Sequence, residues 1–228
     1  MSDQSVPTVS RGLPIAIVRG VLFFLGTAIL SRQLLGEEAN PFDGSTPALL
    51  LIAGLLTVDA VGTNLALWKV GRQNPRTLGW PSALGSPNLA RDIVLGILGF
   101  GVCALWITLV MFAVGGLEAV NEVAGGIADF TLRQRLCFFA IGIFGACVAE
   151  ESLYRGYLQP AMVQKLGVVG GILLTSLLFS LLHFNFNPIS IVSKFLLGAT
   201  YGVLAWRTGS LVAPGVTHAL VWFVIGAS

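Results

Sequence analysis

The sequence has little charge and few side chains that titrate near neutral pH. Charged residues make up 11% of the 228 residues, whereas soluble domains carry about 25%, and the chain has only two histidines. Hydrophobic residues make up 55%, and the mean hydropathy is +0.84. These values exclude an ordinary soluble domain and predict that the lipid bilayer is the main partner. A net charge of +2 with dispersed basic residues excludes a nucleic-acid partner.

Several common catalytic and structural motifs are also missing. The three cysteines, Cys103, Cys137 and Cys147, all fall in apolar runs, and their odd number and spacing argue against a disulfide framework or a zinc knuckle. No G-x-S-x-G motif and no cysteine–histidine nucleophile pair is evident, so covalent acyl catalysis is not expected.

The apolar runs predict an all-α, polytopic transmembrane helix bundle with about seven spans. About 20 residues of helix cross the hydrocarbon core. Residues 1–92 are predicted to hold two spans and a cytoplasmic loop with a short interfacial helix, where Trp80 and Leu84 enter the headgroups. Residues 93–228 are predicted to form the membrane core that carries the candidate site. The seven segments are 13–31, 47–68, 93–115, 134–162, 168–184, 189–206 and 211–227.

Loop charges predict the orientation of the chain. Basic residues gather on alternate loops, and by the positive-inside rule those loops and the N-terminus are cytoplasmic. The basic set is Arg11, Lys69, Arg72, Arg76, Arg91, Lys165 and Arg207, and the opposite side holds Glu37, Glu38, Asp43, Glu118, Glu122 and Asp129.

Two adjacent glutamates, Glu150 and Glu151, follow a stretch without charge that runs from Leu136 to Ala149. An ionised group at membrane depth costs roughly 2.5–3.5 kcal/mol even on the lenient insertion scale, so such residues usually mark function. Glu151 precedes Arg155 by four residues, the order that favours a helical ion pair. Adjacent helix positions diverge by about 100°, so we expect that the two glutamates cannot both point into one site. We therefore assign Glu150 as the working carboxylate and Glu151–Arg155 as structural support.

Spacing places an imidazole at the depth of Glu150. A turn is predicted at residues 165–167, and Glu150 lies about as far before it as His183 lies after it, roughly 24 Å along each helical arm. His218 in the last segment is expected to lie shallower if its helix is regular, unless tilt or a re-entrant segment brings it to the same depth. Phe179 lies one turn before His183 and is expected to wall its ring. The resulting cavity lies between spans four, five and seven, and Asp59 of span two is expected to face the bundle interior.

A carboxylate with two imidazoles suits hydrolysis, because the carboxylate can take a proton from water while an imidazole stabilises or protonates the tetrahedral species. The same side chains can bind zinc, although no H-E-x-x-H spacing is present. No obligatory cofactor is expected, and metal use stays open. A proton-coupled carrier is a further alternative, but no inverted repeat or broken-helix pattern accompanies it.

The ordered motifs resemble a known family. Residues 150–155 fit E-E-x-x-x-R, residues 179–183 fit F-x-x-x-H, and residues 208–218, with Thr208-Gly209-Ser210-Leu211, Pro214 and His218, are similar to the family's closing segment. The resemblance is to the CPBP family of type II CAAX prenyl endopeptidases and the bacterial Abi proteins. It implies an intramembrane protease in a bacterial plasma membrane that acts on a peptide or lipidated protein. In it Glu150 activates water, His183 assists and His218 helps to bind the oxyanion.

One position departs from the family pattern. The last motif usually ends in Asn or Asp, and this chain has Trp222 there. Loss of one oxyanion donor typically costs about 100- to 1000-fold in rate. The indole of Trp222 and the amides of Asn185 and Asn187 are candidate substitutes, and Trp222 as a packing residue is the simpler interpretation. The alternative function is a catalytically weak relative that acts as a membrane binding or immunity protein.

Overall fold

The computed structural model describes residues 7–36, 45–74, 76–80 and 88–225, with the backbone alone at 126–129, 144–146 and 225. Within these ranges the chain is helical and no strand occurs. Five described helical stretches are long and apolar enough to cross a membrane, and Val212–Val224 is a shorter apolar helix. The polytopic helical bundle is therefore confirmed. The elements are α1 Val9–Leu35, α2 Thr46–Lys69, α3 Leu89–Asp129, α4 Leu132–Ile141, π1 Gly142–Cys147, α5 Val148–Glu150, π2 Glu151–Leu158, α6 Gln159–Leu181, α7 Pro188–Thr208 and α8 Val212–Ile225.

Local signals in the sequence set several helix ends. Ser45 caps α2 by accepting a hydrogen bond from the Ala48 amide. Thr131 and Gln134 form a capping box at the start of α4, and Asn187 caps α7 immediately before Pro188. These side chains satisfy amide groups that have no partner within the helix. Gly209 ends α7 with a φ of 64°, a left-handed conformation that glycine adopts without a steric penalty.

The fourth and fifth apolar segments form a helical hairpin inside one long stretch, Val148–Leu181. Gly167 breaks α6 with φ 72° and ψ 173°. A β-carbon at Gly171 would lie 2.6 Å from the Val163 nitrogen, whereas eight residues of straight helix would separate these positions by about 12 Å. The chain therefore reverses at Gly167, within the turn predicted at residues 165–167, and the two arms of the hairpin pack side by side.

The third segment also ends where the sequence predicts. Helix α3 is interrupted at Gly115 and Gly116, and Gly116 has a φ of 63°. Before this break α3 packs closely on α8: a β-carbon at Gly96 would lie 2.8 Å from the Ala213 carbonyl oxygen. The Thr217 hydroxyl donates to the Gly96 carbonyl at 2.8 Å. These contacts hold α8, the helix that carries His218, against the core.

The structure describes only part of the segment before α3. Residues 76–79 form a turn, and the Trp80 indole donates to Ser152 Oγ at 2.8 Å. Leu84, and the rest of the interfacial helix predicted there, fall outside the described residues. The acidic loop residues Glu37, Glu38 and Asp43 also lie outside them.

Candidate active site

Glu150 ends the short helix α5, and Glu151 begins the π-helical segment Glu151–Leu158; a second π-helical segment, Gly142–Cys147, precedes α5. Such i→i+5 turns inside an α-helix are rare and frequently occur at functional sites. Both glutamates are buried, with 7% of Glu150 and none of Glu151 exposed. Because carboxylates are almost never fully buried without partners, the surrounding side chains define what this site can do.

His183 lies near Glu150, at the end of the opposite arm of the hairpin. Its Nε2 is 3.8 Å from Glu150 Oε1, which is the depth match that the residue spacing predicts. Its Nδ1 lies 2.5 Å from the Phe179 carbonyl oxygen, and the Phe179 ring contacts the imidazole edge-on with a centroid distance of 4.6 Å. The next residue, Phe184, has a φ of 53°, which is rare for a bulky side chain.

His218 lies between the two glutamates. Its Nδ1 is 2.9 Å from Glu151 Oε1, and its Nε2 is 3.7 Å from Glu150 Oε2. The prediction that the two glutamates cannot both point into one site is therefore wrong. Their directions do diverge, but a single imidazole fills the angle between them and contacts both. Tyr201 stacks on the other face of the ring at 4.9 Å.

His218 reaches the depth of Glu150, and the reason is the position of the turn before α8. Leu211 is buried, and its amide donates to the Gly79 carbonyl at 3.1 Å. Leu211 Cδ1 would lie 3.2 Å from a β-carbon at Gly156. Gly156 is separated from Glu150 by nearly the same number of residues as Leu211 is from His218. Because Gly156 and Leu211 are in contact, the side chains of Glu150 and His218 lie at the same depth. Helix α8 starts inside the protein, beneath residues 76–80.

Arg155 joins Glu151 to α7. Its Nη1 lies 3.4 Å from Glu151 Oε1, the ion pair predicted from the spacing, and Nη2 donates to the Gly198 carbonyl at 3.1 Å. The guanidinium also lies over the Phe179 ring at 4.3 Å. One turn later Gln159 donates to the Gly202 carbonyl at 2.8 Å. The absence of side chains at these two glycines is what allows the close contact.

Arg19 of α1 is the residue that sequence reasoning missed. Its Nη2 donates to Glu150 Oε1 at 2.8 Å and to Asp59 Oδ2 at 2.6 Å, and its Nε donates to Asp59 at 2.9 and 3.0 Å. Asp59 also accepts a hydrogen bond from Thr63 at 3.2 Å, so its side chain does face the interior. The missed signal is a single arginine within the first apolar run, opposite a single aspartate within the second.

Two further candidates lie elsewhere. Asn185 is exposed, and its Oδ1 accepts from the Asn187 amide in the turn before α7. Trp222 packs in an apolar cluster with Ile52 and Leu56 of α2, and its Cβ would lie 2.8 Å from a β-carbon at Gly142. These contacts support a packing role for Trp222 and do not bring Asn185 to the glutamates.

The hydrogen-bond partners fix where the imidazoles carry hydrogen. Carbonyl and carboxylate oxygens only accept, so Nδ1 of His183 and Nδ1 of His218 are the donors in these contacts. In the neutral rings both Nε2 atoms then lack hydrogen and face Glu150. A carboxylate or carbonyl on the other ring nitrogen is also typical of metal-bound histidines. Within the described part of the chain, however, no group of three His, Cys, Asp or Glu side chains is arranged to hold a metal ion.

Fold and site together define a polytopic membrane protein with a buried acid–base centre enclosed by its helices. Residues 132–224 match the family described as type II CAAX prenyl endopeptidase Rce1-like. The match confirms, over these residues, the family resemblance read from the motifs. It includes the candidate site residues of α5 to α8, but Arg19 and Asp59 lie outside it. The search of curated proteins and the search of solved structures gave no match.

Proposed function

We propose that the protein is a glutamate-dependent intramembrane endopeptidase, in which Glu150 activates the water that hydrolyses a peptide bond. The observation that carries this proposal is the meeting of one buried carboxylate with two imidazole nitrogens, at 3.7 and 3.8 Å, inside an apolar bundle. A proton acceptor with adjacent proton carriers is what amide hydrolysis requires.

The chemical step uses water as its only co-reactant. Glu150 takes one proton from water as the water oxygen bonds to the carbonyl carbon of the substrate. The tetrahedral intermediate then collapses, the C–N bond breaks, and the proton passes to the leaving nitrogen. His183 is the proposed carrier, because its Nε2 can receive a proton and lies beside Glu150 Oε1.

His218 is the proposed oxyanion-binding residue, and this role requires that both nitrogens of its ring carry a proton. Its Nδ1 hydrogen is directed at Glu151, so Nε2 can donate to an oxyanion only when the ring also carries a proton there. Glu151 then faces a cationic imidazole, an arrangement that stabilises charge as it develops. Arg155 and Tyr201 would hold this ring and its glutamate in place.

The proposed substrate is a membrane-associated peptide, or a lipidated protein, that carries a prenylated C-terminal cysteine. Support comes from the family match and from the apolar bundle around the site. No obligatory metal is proposed, because water activation by Glu150 needs none. On the loop-charge pattern we propose a cytoplasmic N-terminus, and on the family resemblance we propose a bacterial plasma membrane.

The test is digestion of a peptide library with farnesylated C-terminal cysteines, alongside the same library without the lipid. Wild type, Glu150→Gln and Glu122→Gln would be compared in detergent micelles. Glu122 is exposed at the far end of α3, so it is the matched control. Loss of a general base lowers the rate by about 10²- to 10⁴-fold, so Glu150→Gln should lose cleavage and Glu122→Gln should keep it. A chelator arm should leave cleavage intact.

The alternative is a relative without activity that acts by binding, and its main support is Trp222 in place of the family's Asn. Wild type would then release no peptide from either library, and Glu150→Gln would leave any cellular phenotype unchanged. A proton-coupled carrier predicts flux across proteoliposomes driven by a pH gradient. Either result would replace the peptidase proposal.

A further inference from the structure

Glu150 receives its cation from a part of the chain outside the family match. Arg19 lies in α1 and contacts Glu150 Oε1 at 2.8 Å across 131 residues of sequence. The three side chains of the Asp59–Arg19–Glu150 group are 6%, 7% and 9% exposed. Three buried ionic groups in direct contact are costly unless each is paired, so this contact calls for an explanation.

We propose that Arg19, oriented by Asp59, is a positioning residue that holds the Glu150 carboxylate for water activation. This inference rests on the proposed peptidase function. It assigns to the first two helices a part in the site, and so residues 93–228 alone do not make a complete catalytic core.

The guanidinium is held in one orientation before it meets Glu150. Asp59 accepts from both Nε and Nη2, a two-point contact that fixes the plane of the guanidinium. Thr63 holds Asp59 in turn. Next to Thr63 in α2, Asn64 donates to the Val148 carbonyl at 3.3 Å, two residues before Glu150. Helix α2 is thus hydrogen-bonded to α5, the helix that carries Glu150.

Close packing also fixes the backbone of α1. A β-carbon at Gly20, next to Arg19, would lie 2.9 Å from the Leu182 carbonyl oxygen, beside His183. A β-carbon at Gly12 would lie 2.7 Å from the Tyr157 ring. Helix α1 therefore contacts both arms of the hairpin, one on each side of Arg19. The reach of Arg19 to Glu150 follows from this backbone position and not from a flexible side chain alone.

The contact distinguishes the two oxygens of Glu150. Arg19 binds Oε1, whereas Oε2 lies nearer to His218 Nε2. A carboxylate pinned at one oxygen cannot rotate freely, so Oε2 keeps its direction toward His218 while Oε1 stays beside His183 Nε2. Arg19 also supplies the positive charge for Glu150, since Arg155 is directed at Glu151. Errors of about 1 Å in such a constellation can lower the rate by about 10²-fold.

The test removes the pair without leaving an unpaired aspartate. The double variant Arg19→Met/Asp59→Leu would be compared with Val18→Met/Val58→Leu, which changes the adjacent exposed positions of the same two helices. In the proposed peptidase assay we expect kcat to fall about 10²-fold with KM unchanged, while the control keeps both constants. Arg19→Lys keeps the charge and loses the two-point contact, so it should recover part of kcat.

Three results would overturn the proposal. A folded double variant with wild-type kcat would make the pair merely structural, and a higher kcat would make Arg19 an inhibitory contact. If the double variant does not fold, a wild-type kcat for Arg19→Lys would overturn the proposal.

Failure of the proposed function is recognised separately, because wild type would then be inactive. In that case the Arg19–Glu150 contact would be tested by a double-mutant cycle of Arg19→Met and Glu150→Gln, in which the Tm of each variant is measured. Non-additive shifts in Tm are expected for residues in contact, and additive shifts would overturn the contact.

Discussion

Removal of the Arg155 side chain tests the charge network behind the candidate site. The guanidinium is 1% exposed and its partner Glu151 is fully buried. In Arg155→Met the apolar stem is retained and the cation is lost. Glu151 then keeps His218 as its contact but has no full counter-charge, and the Gly198 carbonyl loses its donor.

The expected loss follows from these contacts. At 3.4 Å two unit charges attract by about 5 kcal/mol at an effective dielectric constant of 20. Desolvation of both groups offsets part of this attraction, yet breaking a buried pair from one side typically costs about 3–5 kcal/mol. Loss of the contact with the Phe179 ring adds about 0.5–2 kcal/mol. We expect Arg155→Met to lower the free energy of unfolding by at least about 3 kcal/mol.

The assay is unfolding in mixed micelles by SDS titration, followed by circular dichroism. Arg133→Met is the matched control, because Arg133 is exposed at the start of α4 and such substitutions usually stay within about 0.5 kcal/mol. The double variant Glu151→Gln/Arg155→Met removes both charges and should lose less stability than Arg155→Met alone. The reasoning is refuted if the double variant loses as much stability as Glu151→Gln and Arg155→Met lose together as single variants. It is also refuted if Arg155→Met loses no more stability than Arg133→Met.

Two other predictions concern packing and orientation. Gly96→Ala should lower stability by about 1–3 kcal/mol, because its β-carbon meets the Ala213 carbonyl. The control Gly101→Ala has open space around its β-carbon and should be neutral in the same SDS titration. Equal losses of stability would contradict this account of the α3–α8 contact. In intact cells a membrane-impermeant thiol reagent should label Asn185→Cys and not Thr8→Cys, with the native cysteines as background, and the reverse pattern would refute the predicted cytoplasmic N-terminus.

Much of the fold is readable from the sequence because the bilayer imposes simple rules. Apolar run lengths predict the helices, and glycine marks the breaks at Gly116 and Gly167, where φ is positive. The match in depth between Glu150 and His183 follows from counting residues on both sides of one turn. These features depend on local geometry and on hydrophobic length, which a linear pattern contains.

The position of His218 depends on something else. Regular helix counting places it too shallow, because counting assumes that every turn lies at the membrane surface. The turn at Leu211 lies inside the protein, bonded to Gly79, and only the packing of residues 76–80 decides this. Likewise the shared contact of Glu150 and Glu151 with one ring depends on where α8 is inserted.

By itself the sequence determined the membrane bundle, the hairpin and the identity of a buried carboxylate with two imidazoles, because charge is too costly in lipid to occur there without cause. Only the tertiary structure decided which charges pair. Arg19 and Asp59 are far from Glu150 along the chain, and their ionic contact exists because close packing of α1 and α2 on the hairpin brings them to one point. Long-range pairing of this kind leaves no periodic signal in a single sequence.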